Sequence, residues 1–311
     1  MTALGFDTSN YTTSTAAVGA DFLKRQRRIL PVKPGERGLR QSDALFAHVK
    51  ALPELYETLM REVDSKKLSA VGVSTRPRAV EGSYMPVFLA GEGFARAAAA
   101  SLDLPLYRFS HQDGHLMAGI YSGAFWELLE KPFLAVHLSG GTTEILKNEY
   151  QNGTFRTEIL GGTKDISAGQ LIDRLGVRLG MQFPCGKELD ALSETCDKTV
   201  NTKISVTGMQ MNFSGLETKL SGMIGTESPE VLARSALLAV SKTLSCALSN
   251  AVLETHCRRI LLVGGVASNS FLRKFLPEHT DAELFFSEPA YATDNAVGVA
   301  ELARRMEMRE Y

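Results

Sequence analysis

The chain has 311 residues, enough for one large or two medium domains. Hydrophobic residues make up 44% and charged residues 22%, a balance typical of an ordinary globular protein. Its formal net charge of −1 argues against a general electrostatic attraction to nucleic acid. The N-terminus lacks a signal peptide's basic and apolar regions, and no apolar run is expected to reach membrane-span length. We therefore expect a cytoplasmic protein whose four cysteines, without CxxC spacing, are reduced thiols.

The predicted elements alternate between strands and helices, which indicates an α/β fold. A strand, a hydroxyl-rich turn and a second strand open the chain, and this pattern returns at residues 133–146 around a Ser-Gly-Gly turn. The repetition predicts two related lobes of mixed sheet facing a central cleft. We divide them into an N-terminal lobe, residues 1–109, and a C-terminal lobe, residues 110–311, with a helical insertion at about 164–256.

A basic segment, Lys24 to Arg40, follows the first hairpin and holds seven basic residues and one acidic residue. It has two interpretations. It is either a solvated hairpin and loop or a patch that contacts phosphates.

Two histidines follow the predicted strand 104–109, in the segment His-Gln-Asp-Gly-His. If a helix begins near His111, then His115 lies one turn later on the same face. Two imidazoles so placed can bind one divalent ion, although such pairs are also common on solvated surfaces. Asp294 opens the last predicted helix, and is either its N-cap or a third metal ligand.

Three turns after strands are candidates for binding an anionic ligand: residues 7–9, 139–143 and 264–269. The glycines of the last two allow backbone N–H groups to approach an anion closely, and the last also precedes a helix. Each alone is commonly a tight turn, but together they favour a nucleotide-like ligand. Asp173, at the margin of an apolar helix face, is either solvated or binds a ligand hydroxyl.

These segments occur in the order typical of the TsaD-like family, which the chain resembles over almost its whole length. The matching motifs are DTS, HxxxH, SGG, AGxxxD, FSGLxTK, GGVASN and TDNA. The resemblance implies the two-lobed fold of actin, sugar kinases and the heat-shock chaperone ATPase. It also implies transfer of a threonylcarbamoyl group to an adenosine of transfer RNA.

The resemblance assigns roles to individual residues. His111, His115 and Asp294 look like ligands of one divalent metal, iron(II) or zinc. Two groups of positions look like binding sites for the substrate or nucleotide. The first is the turn Leu138, Ser139, Gly140, Gly141 and Thr142. The second, which would contact the ribose and base and is called the nucleoside side below, is Asp173, Gly186 and Asn269. No catalytic residue is assigned beyond the metal site.

The chain departs from the family around the predicted acyl group. Tyr11 and Thr12 stand where the family usually has Asp and Glu, and Thr142 replaces a histidine. The loop at residues 75–83 and the segment at residues 184–187 are also differently built. The pattern is that of a divergent paralogue, whose acceptor could differ from transfer RNA.

The leading hypothesis is a metal-dependent transferase that moves a threonylcarbamoyl group from an adenylate to an acceptor amine. One alternative is an ATPase or kinase of the same fold, against which the missing acidic pair argues. Another is a non-catalytic paralogue that binds a nucleotide and partner proteins. The partners expected are an adenylate or ATP, transfer RNA and other proteins of a threonylcarbamoyl-transfer complex, without a membrane.

Overall fold

The computed structural model describes residues 1–9, 11–31, 39–291 and 295–309. The strands are β1 (Thr2–Thr8), β2 (Thr12–Gly19), β3 (Phe22–Ile29), β4 (Leu68–Arg76), β5 (Leu106–Ser110), β6 (Phe133–Leu138), β7 (Thr143–Gln151), β8 (Thr154–Thr163), β9 (Ser205–Thr207), β10 (Gln210–Asn212), β11 (Arg259–Val263) and β12 (Glu283–Phe286). The α-helices are α1 (Gln41–Met60), α2 (Phe88–Leu102), α3 (His111–Gly123), α4 (Ala168–Arg178), α5 (Gly186–Ser193), α6 (Ser214–Ser221), α7 (Pro229–Thr255), α8 (Ser270–His279) and α9 (Asn295–Met308).

The chain forms two compact units. The first unit comprises Met1–Lys131, Glu149–Arg156 and Ala290–Tyr311, and the second comprises Pro132–Asn148 and Thr157–Pro289. The lobe boundary predicted between residues 109 and 110 does not coincide with the boundaries of these units. Helices α3 and α9 pack against each other, and α9 packs against β1. Tertiary packing therefore groups the C-terminal helix with the N-terminal sheet.

The sheet of the first unit has the strand order β3-β2-β1-β4-β5. Strands β1, β2 and β3 are antiparallel neighbours, whereas β1, β4 and β5 run parallel. Every residue of β1 is buried, as expected of a strand covered on both faces. Leu4 and Phe6 pack in a core with α1 and α2, and Ala16 and Val18 pack with α9.

Two glycines allow α3 and α9 to pack closely. A Cβ atom on Gly298 would lie 2.0 Å from the carbonyl oxygen of Gly114 and 2.8 Å from the Ala118 nitrogen. A Cβ on Gly114 would lie 3.2 Å from Asn295. Because backbone atoms cannot move aside as flexible side chains can, this helix pair requires small residues at its crossing.

The sheet of the second unit has the order β12-β11-β6-β7-β8-β10-β9. Its segment β8-β7-β6-β11-β12 repeats the order of the first sheet, with β6 in the place of β1 and β11 in the place of β4. Strands β6 and β7 are antiparallel, and β6, β11 and β12 are parallel. The prediction of two related lobes in an α/β fold is therefore confirmed.

Helix α7 corrects one expectation from the sequence. At 27 residues, with a mean hydropathy of 1.5 over its most apolar window, it is long and apolar enough to cross a membrane. Its apolar residues lie mostly in the core of the second unit, where Leu237 and Leu244 are completely buried. A helix covered on most sides is apolar around most of its circumference, which explains the composition.

Basic residues at the start of the basic segment form contacts with other protein groups. Lys24 and Arg28 form ion pairs with Glu62 and Glu54. Arg25 lies over the ring of Tyr291, with 4.3 Å between its guanidinium carbon and the ring centroid. These contacts favour the solvated hairpin for residues 24–29, whereas residues 32–38 lie outside the described ranges.

Candidate functional site

The predicted histidine pair lies at the start of α3, in the first unit. Ser110 caps this helix through a reciprocal capping box with Asp113. His111 and His115 therefore share one helix face, with ring centroids 4.5 Å apart and an edge-to-face orientation. His115 is 8% exposed, so the pair is not a solvated surface feature.

A buried carboxylate orients the first of these imidazoles. Asp7 Oδ1, at the end of β1, lies 2.8 Å from Nδ1 of His111. Burial by itself raises the pKa of Asp7, but the interactions with His111, Ser74 and His48 together outweigh it, and the net pKa shift is downward. A charged carboxylate at this distance makes Nδ1 the donor, and in the neutral ring Nε2 then has the lone pair. Carboxylate–histidine pairs of this kind are typical behind metal-binding imidazoles.

The third predicted ligand, Asp294, lies outside the described residues. Asn295, which follows it in the chain, is described, and its Nδ2 atom lies 3.4 Å from Nε2 of His111. Within the described ranges, no group of three or more His, Cys, Asp or Glu side chains is arranged to hold a metal. The histidine pair thus supplies two candidate ligands.

The first predicted anion-binding turn is largely occupied by protein contacts. The hydroxyl of Thr8 is completely buried, donates to the Val87 carbonyl at 2.9 Å and accepts from the Gly91 amide at 3.1 Å. Together with the bond between Asp7 and His111, these contacts join β1 to α2 and α3. The DTS motif therefore organises the first unit around the imidazoles.

The glycine turn predicted to bind the substrate joins β6 to β7 in the second unit. Ser139 closes it, since its amide donates to the Thr142 carbonyl at 2.9 Å and its hydroxyl accepts from the Thr142 amide at 3.0 Å. Gly140 and Gly141 are exposed, and no atom lies within 4 Å of a Cβ placed on Gly141. Leu138 is completely buried, so only its backbone can face a ligand.

Helix α4 begins directly against this turn. The Ser167 hydroxyl donates to the Gly140 carbonyl at 2.9 Å, and a Cβ on Gly169 would lie 2.4 Å from the Ser139 carbonyl oxygen. The AG pair of the AGxxxD motif is thus explained by close packing. Asp173 follows one turn later, and its Oδ2 lies 4.0 Å from a Cβ placed on Gly140.

Asp173 connects the turn to the start of α5. Its Oδ1 accepts a hydrogen bond from the Cys185 amide at 2.8 Å, next to Gly186. Burial raises the pKa of Asp173, and the Cys185 amide opposes that shift only in part. Burial and the nearby Asp173 and Glu188 raise the pKa of the Cys185 thiol to about 11, so it is no nucleophile at neutral pH.

Asn269 caps α8, accepting a hydrogen bond from the Leu272 amide through Oδ1 at 3.0 Å. Asp190, four residues after Gly186 on α5, accepts from the Ser270 amide at 2.7 Å. Sequence reasoning missed Asp190, because an acidic residue in an exposed-looking helix turn has no distinguishing pattern. Within the second unit, these contacts link Gly140 to Asp173, Asp173 to the residue before Gly186, and α5 to the residue after Asn269.

A glycine at the end of β11 completes this group. Gly264 has a φ of +96°, and a Cβ there would lie 2.3 Å from the Leu138 carbonyl oxygen. Only glycine tolerates both conditions.

A cavity of about 310 Å³ elsewhere in the second unit is lined by Lys203, Asn212 and Lys219 among others, and by none of the predicted site residues.

Comparison with solved structures shows the fold class. Component A of (R)-2-hydroxyglutaryl-CoA dehydratase from Acidaminococcus fermentans aligns with a TM-score of 0.61, 16% identity and 99% coverage of both chains. A ROK family glucokinase from Streptomyces griseus, in complex with glucose and AMPPNP, gives a TM-score of 0.54 at 12% identity, covering 98% of this chain and 100% of its own. The fold is that of actin-like ATPases and sugar kinases, as the resemblance implied.

Sequence comparison is more specific than the fold. The model of the family described as "TsaD: tRNA N6-adenosine threonylcarbamoyltransferase" matches residues 32–301. A protein of that name from Thermus thermophilus is 31% identical over 270 residues, covering 85% of this chain and 79% of its own. Another, from Neorickettsia sennetsu, is 29% identical and covers 96% and 91%. The chain belongs to the tRNA N6-adenosine threonylcarbamoyltransferase family, and it is a transferase.

Proposed function

We propose that the protein transfers a threonylcarbamoyl group from an adenylate to an adenosine of transfer RNA, with one divalent metal bound. Family membership supports the reaction class. The observation that best supports the metal site is the buried carboxylate of Asp7, which orients His111 beside His115.

The residues present fit a metal of the kind proposed. Asp7 holds Nδ1 of His111, which leaves Nε2 as the ligand atom, and His115 lies on the same helix face. Asp294 is proposed as the third ligand, and the position of its neighbour Asn295 beside His111 supports that assignment. Two imidazoles and one carboxylate with open positions suit iron(II) or zinc.

The second unit supplies the proposed substrate site. The exposed backbone of Gly140 and Gly141 presents N–H groups that can stabilise negative charge developing on the donor. Asp173, Gly186 and Asn269 are proposed to contact the ribose and base of the adenylate.

The chemistry follows from these positions. The bound metal would act as a Lewis acid towards the carbamoyl carbonyl or the phosphate. The acceptor amine attacks the carbonyl carbon and AMP leaves, while the 139–142 turn donates hydrogen bonds to the developing charge. We assign no general base. That the histidines and the glycine turn meet around one ligand stays a prediction.

Two other functions stay open to test. Solved structures of the same fold include kinases and nucleotide-bound activators, but such likeness supports an ATPase or kinase only at the level of the fold. A non-catalytic paralogue would have no evident need for His111, His115 and Asp294 together. We also propose a cytoplasmic location and partner proteins of a threonylcarbamoyl-transfer complex.

Metal titration of the purified protein tests the metal site. We expect one equivalent of iron(II) or zinc to bind, and His111→Ala, His115→Ala and Asp294→Ala each to weaken binding by at least roughly tenfold. His279→Ala, which alters a histidine of the second unit, is the control. Unchanged affinity in all three variants would refute the proposed ligands.

The transferase proposal is tested with transfer RNA that lacks the modification. The metal-loaded protein is mixed with threonylcarbamoyl adenylate, and modified adenosine is measured by mass spectrometry. In a parallel assay with ATP, release of ADP by a protein that forms no modified adenosine would instead indicate an ATPase.

A further inference from the structure

His48, on α1, is a buried histidine that the proposed function does not use. Its side chain is completely inaccessible to solvent. Its Nδ1 atom lies 2.7 Å from Oγ1 of Thr13, which is also buried. Placing an imidazole in a core costs free energy unless its polar atoms are bound, and Thr13 provides a partner for Nδ1.

Thr13 lies where β1 and β2 separate into their connecting turn. It pairs with Thr8, and the neighbouring pair is Asp7 with Ser14. His48 therefore holds the second strand directly opposite the last residues of β1. One hydrogen bond from α1 restrains the end of the hairpin that carries Asp7.

The electrostatics place the same imidazole near Asp7. Burial lowers the pKa of His48, and the Ser9 backbone and the Asp7 carboxylate oppose that shift without cancelling it. His48 is therefore neutral near pH 7. His111 binds Asp7 directly at 2.8 Å, and His48 is close enough that its pKa responds to the Asp7 charge.

We propose that His48 is a positioning residue, which fixes the end of β1 through Thr13 and so sets the Asp7 carboxylate that orients His111. The consequence for metal affinity rests on the proposed function, whereas the effect on the His111 ring does not. Without the restraint, the β1 end can shift and lengthen the bond between Asp7 and His111.

The chain offers a matched control in the same strand. Thr15 lies two residues after Thr13, so both side chains point to the same face of β2. Thr15 is equally buried, and its Oγ1 has no hydrogen-bond partner in the described part of the chain. Thr13→Val and Thr15→Val therefore make the same chemical change, but only the first removes the contact with His48.

The experiment compares Thr13→Val, Thr15→Val and His48→Asn, whose side-chain amide can still bond to Thr13. The first readout is the ¹⁵N and ¹H NMR signal of the His111 imidazole in metal-free protein, assigned with His111→Ala. We expect Thr13→Val to shift this signal, and Thr15→Val and His48→Asn to leave it in place. The second readout is zinc affinity, which we expect Thr13→Val to lower roughly tenfold.

The outcomes separate the two proposals. If the wild-type protein binds no zinc, the proposed metal site fails, yet the NMR comparison still decides the role of His48. A His111 signal that is the same in Thr13→Val and the wild type overturns the inference. So does an equal shift in Thr13→Val and Thr15→Val, since a general packing effect would then explain it.

Discussion

At the scale of single residues, Asp173 shows how one carboxylate can serve structure and ligand together. Its Oδ1 accepts a hydrogen bond from the Cys185 amide, while its Oδ2 faces the glycine turn. We expect Asp173→Ala to weaken binding of AMP by roughly 1–3 kcal/mol, the effect of losing a hydrogen bond to a ligand hydroxyl. Isothermal titration calorimetry measures the change.

The control for this prediction separates the two roles. Asp173→Asn keeps an oxygen that can accept the hydrogen bond from the Cys185 amide, but it lacks the carboxylate charge. Asp197→Ala removes a carboxylate that is 99% exposed, and should leave AMP affinity unchanged. Wild-type affinity in Asp173→Ala would mean that this residue only holds the start of α5.

Asp165 gives a prediction about pH. It accepts hydrogen bonds from the Phe213 amide at 2.9 Å and from the amide and hydroxyl of Ser214 at 3.0 and 2.6 Å, at the start of α6. Burial raises its pKa, but these bonds and one from the Thr163 hydroxyl together outweigh burial and lower the pKa from 3.8 to about 2. Because the folded-state pKa lies below the unfolded one, the stabilisation is present above about pH 4 and is lost as the pH falls towards 2.

We therefore expect Asp165→Asn to be less stable than the wild type near neutral pH, and the difference to shrink as the pH falls from about 4 to 2. Urea unfolding, followed by circular dichroism at several pH values, measures this. Because Asp165 is partly solvated, the pH at which the difference disappears is more informative than its size. A difference independent of pH would contradict the assigned cause.

At the scale of elements, the crossing of α3 and α9 depends on glycine. We expect Gly298→Ala to destabilise the protein by about 1–3 kcal/mol or more, because its Cβ would lie 2.0 Å from a carbonyl oxygen. Gly93→Ala is the control, since nothing lies within 4 Å of a Cβ at that exposed position in α2. Alanine there should stabilise α2 by roughly 0.5–1 kcal/mol.

Thermal unfolding of both variants checks this pair of predictions. The Gly298→Ala variant should also weaken metal binding, because α3 carries His111 and His115 while α9 begins beside them at Asn295. Equal melting temperatures for the two variants would show that the helices can separate without loss, and that their close packing has no energetic importance.

At the scale of the whole molecule, the departures from the family concern activity. Tyr11 and Thr12 reduce the negative charge of the first turn, and Thr142 removes an imidazole. The side chain of Thr12 is mostly buried within the first sheet, whereas Thr142 is partly exposed beside the glycine turn. We therefore expect the chain to restore threonylcarbamoyl-adenosine only weakly in cells depleted of their own family enzyme.

The matched variant is Thr142→His, which returns the family's imidazole at a partly exposed position. It should raise the level of the modification in bulk transfer RNA, measured by mass spectrometry, and His111→Ala should abolish it. Full restoration by the unaltered chain would show that these substitutions do not limit the reaction.

The sequence by itself determined the fold class, the duplicated lobes and the family. Local patterns carry this information: the hairpin recurs at residues 133–146, and HxxxH predicts a shared helix face that α3 confirms. The glycine turn after β6 also follows from its local sequence, whereas the roles of the nucleoside-side positions come from the family resemblance and stay predictions. Such features depend on near neighbours in the chain, so periodicity and turn chemistry suffice to find them.

The tertiary structure alone decided which distant residues act together. Asp7 and His111 are 104 residues apart in sequence, Asp190 and Ser270 are 80 apart, and His48 meets Thr13 from another element. No local pattern predicts these contacts, because they arise from how helices pack on a sheet. The same cause grouped α9 with the first unit and buried the apolar helix α7. The orientation of each side chain in these contacts is therefore set by the packing of distant elements.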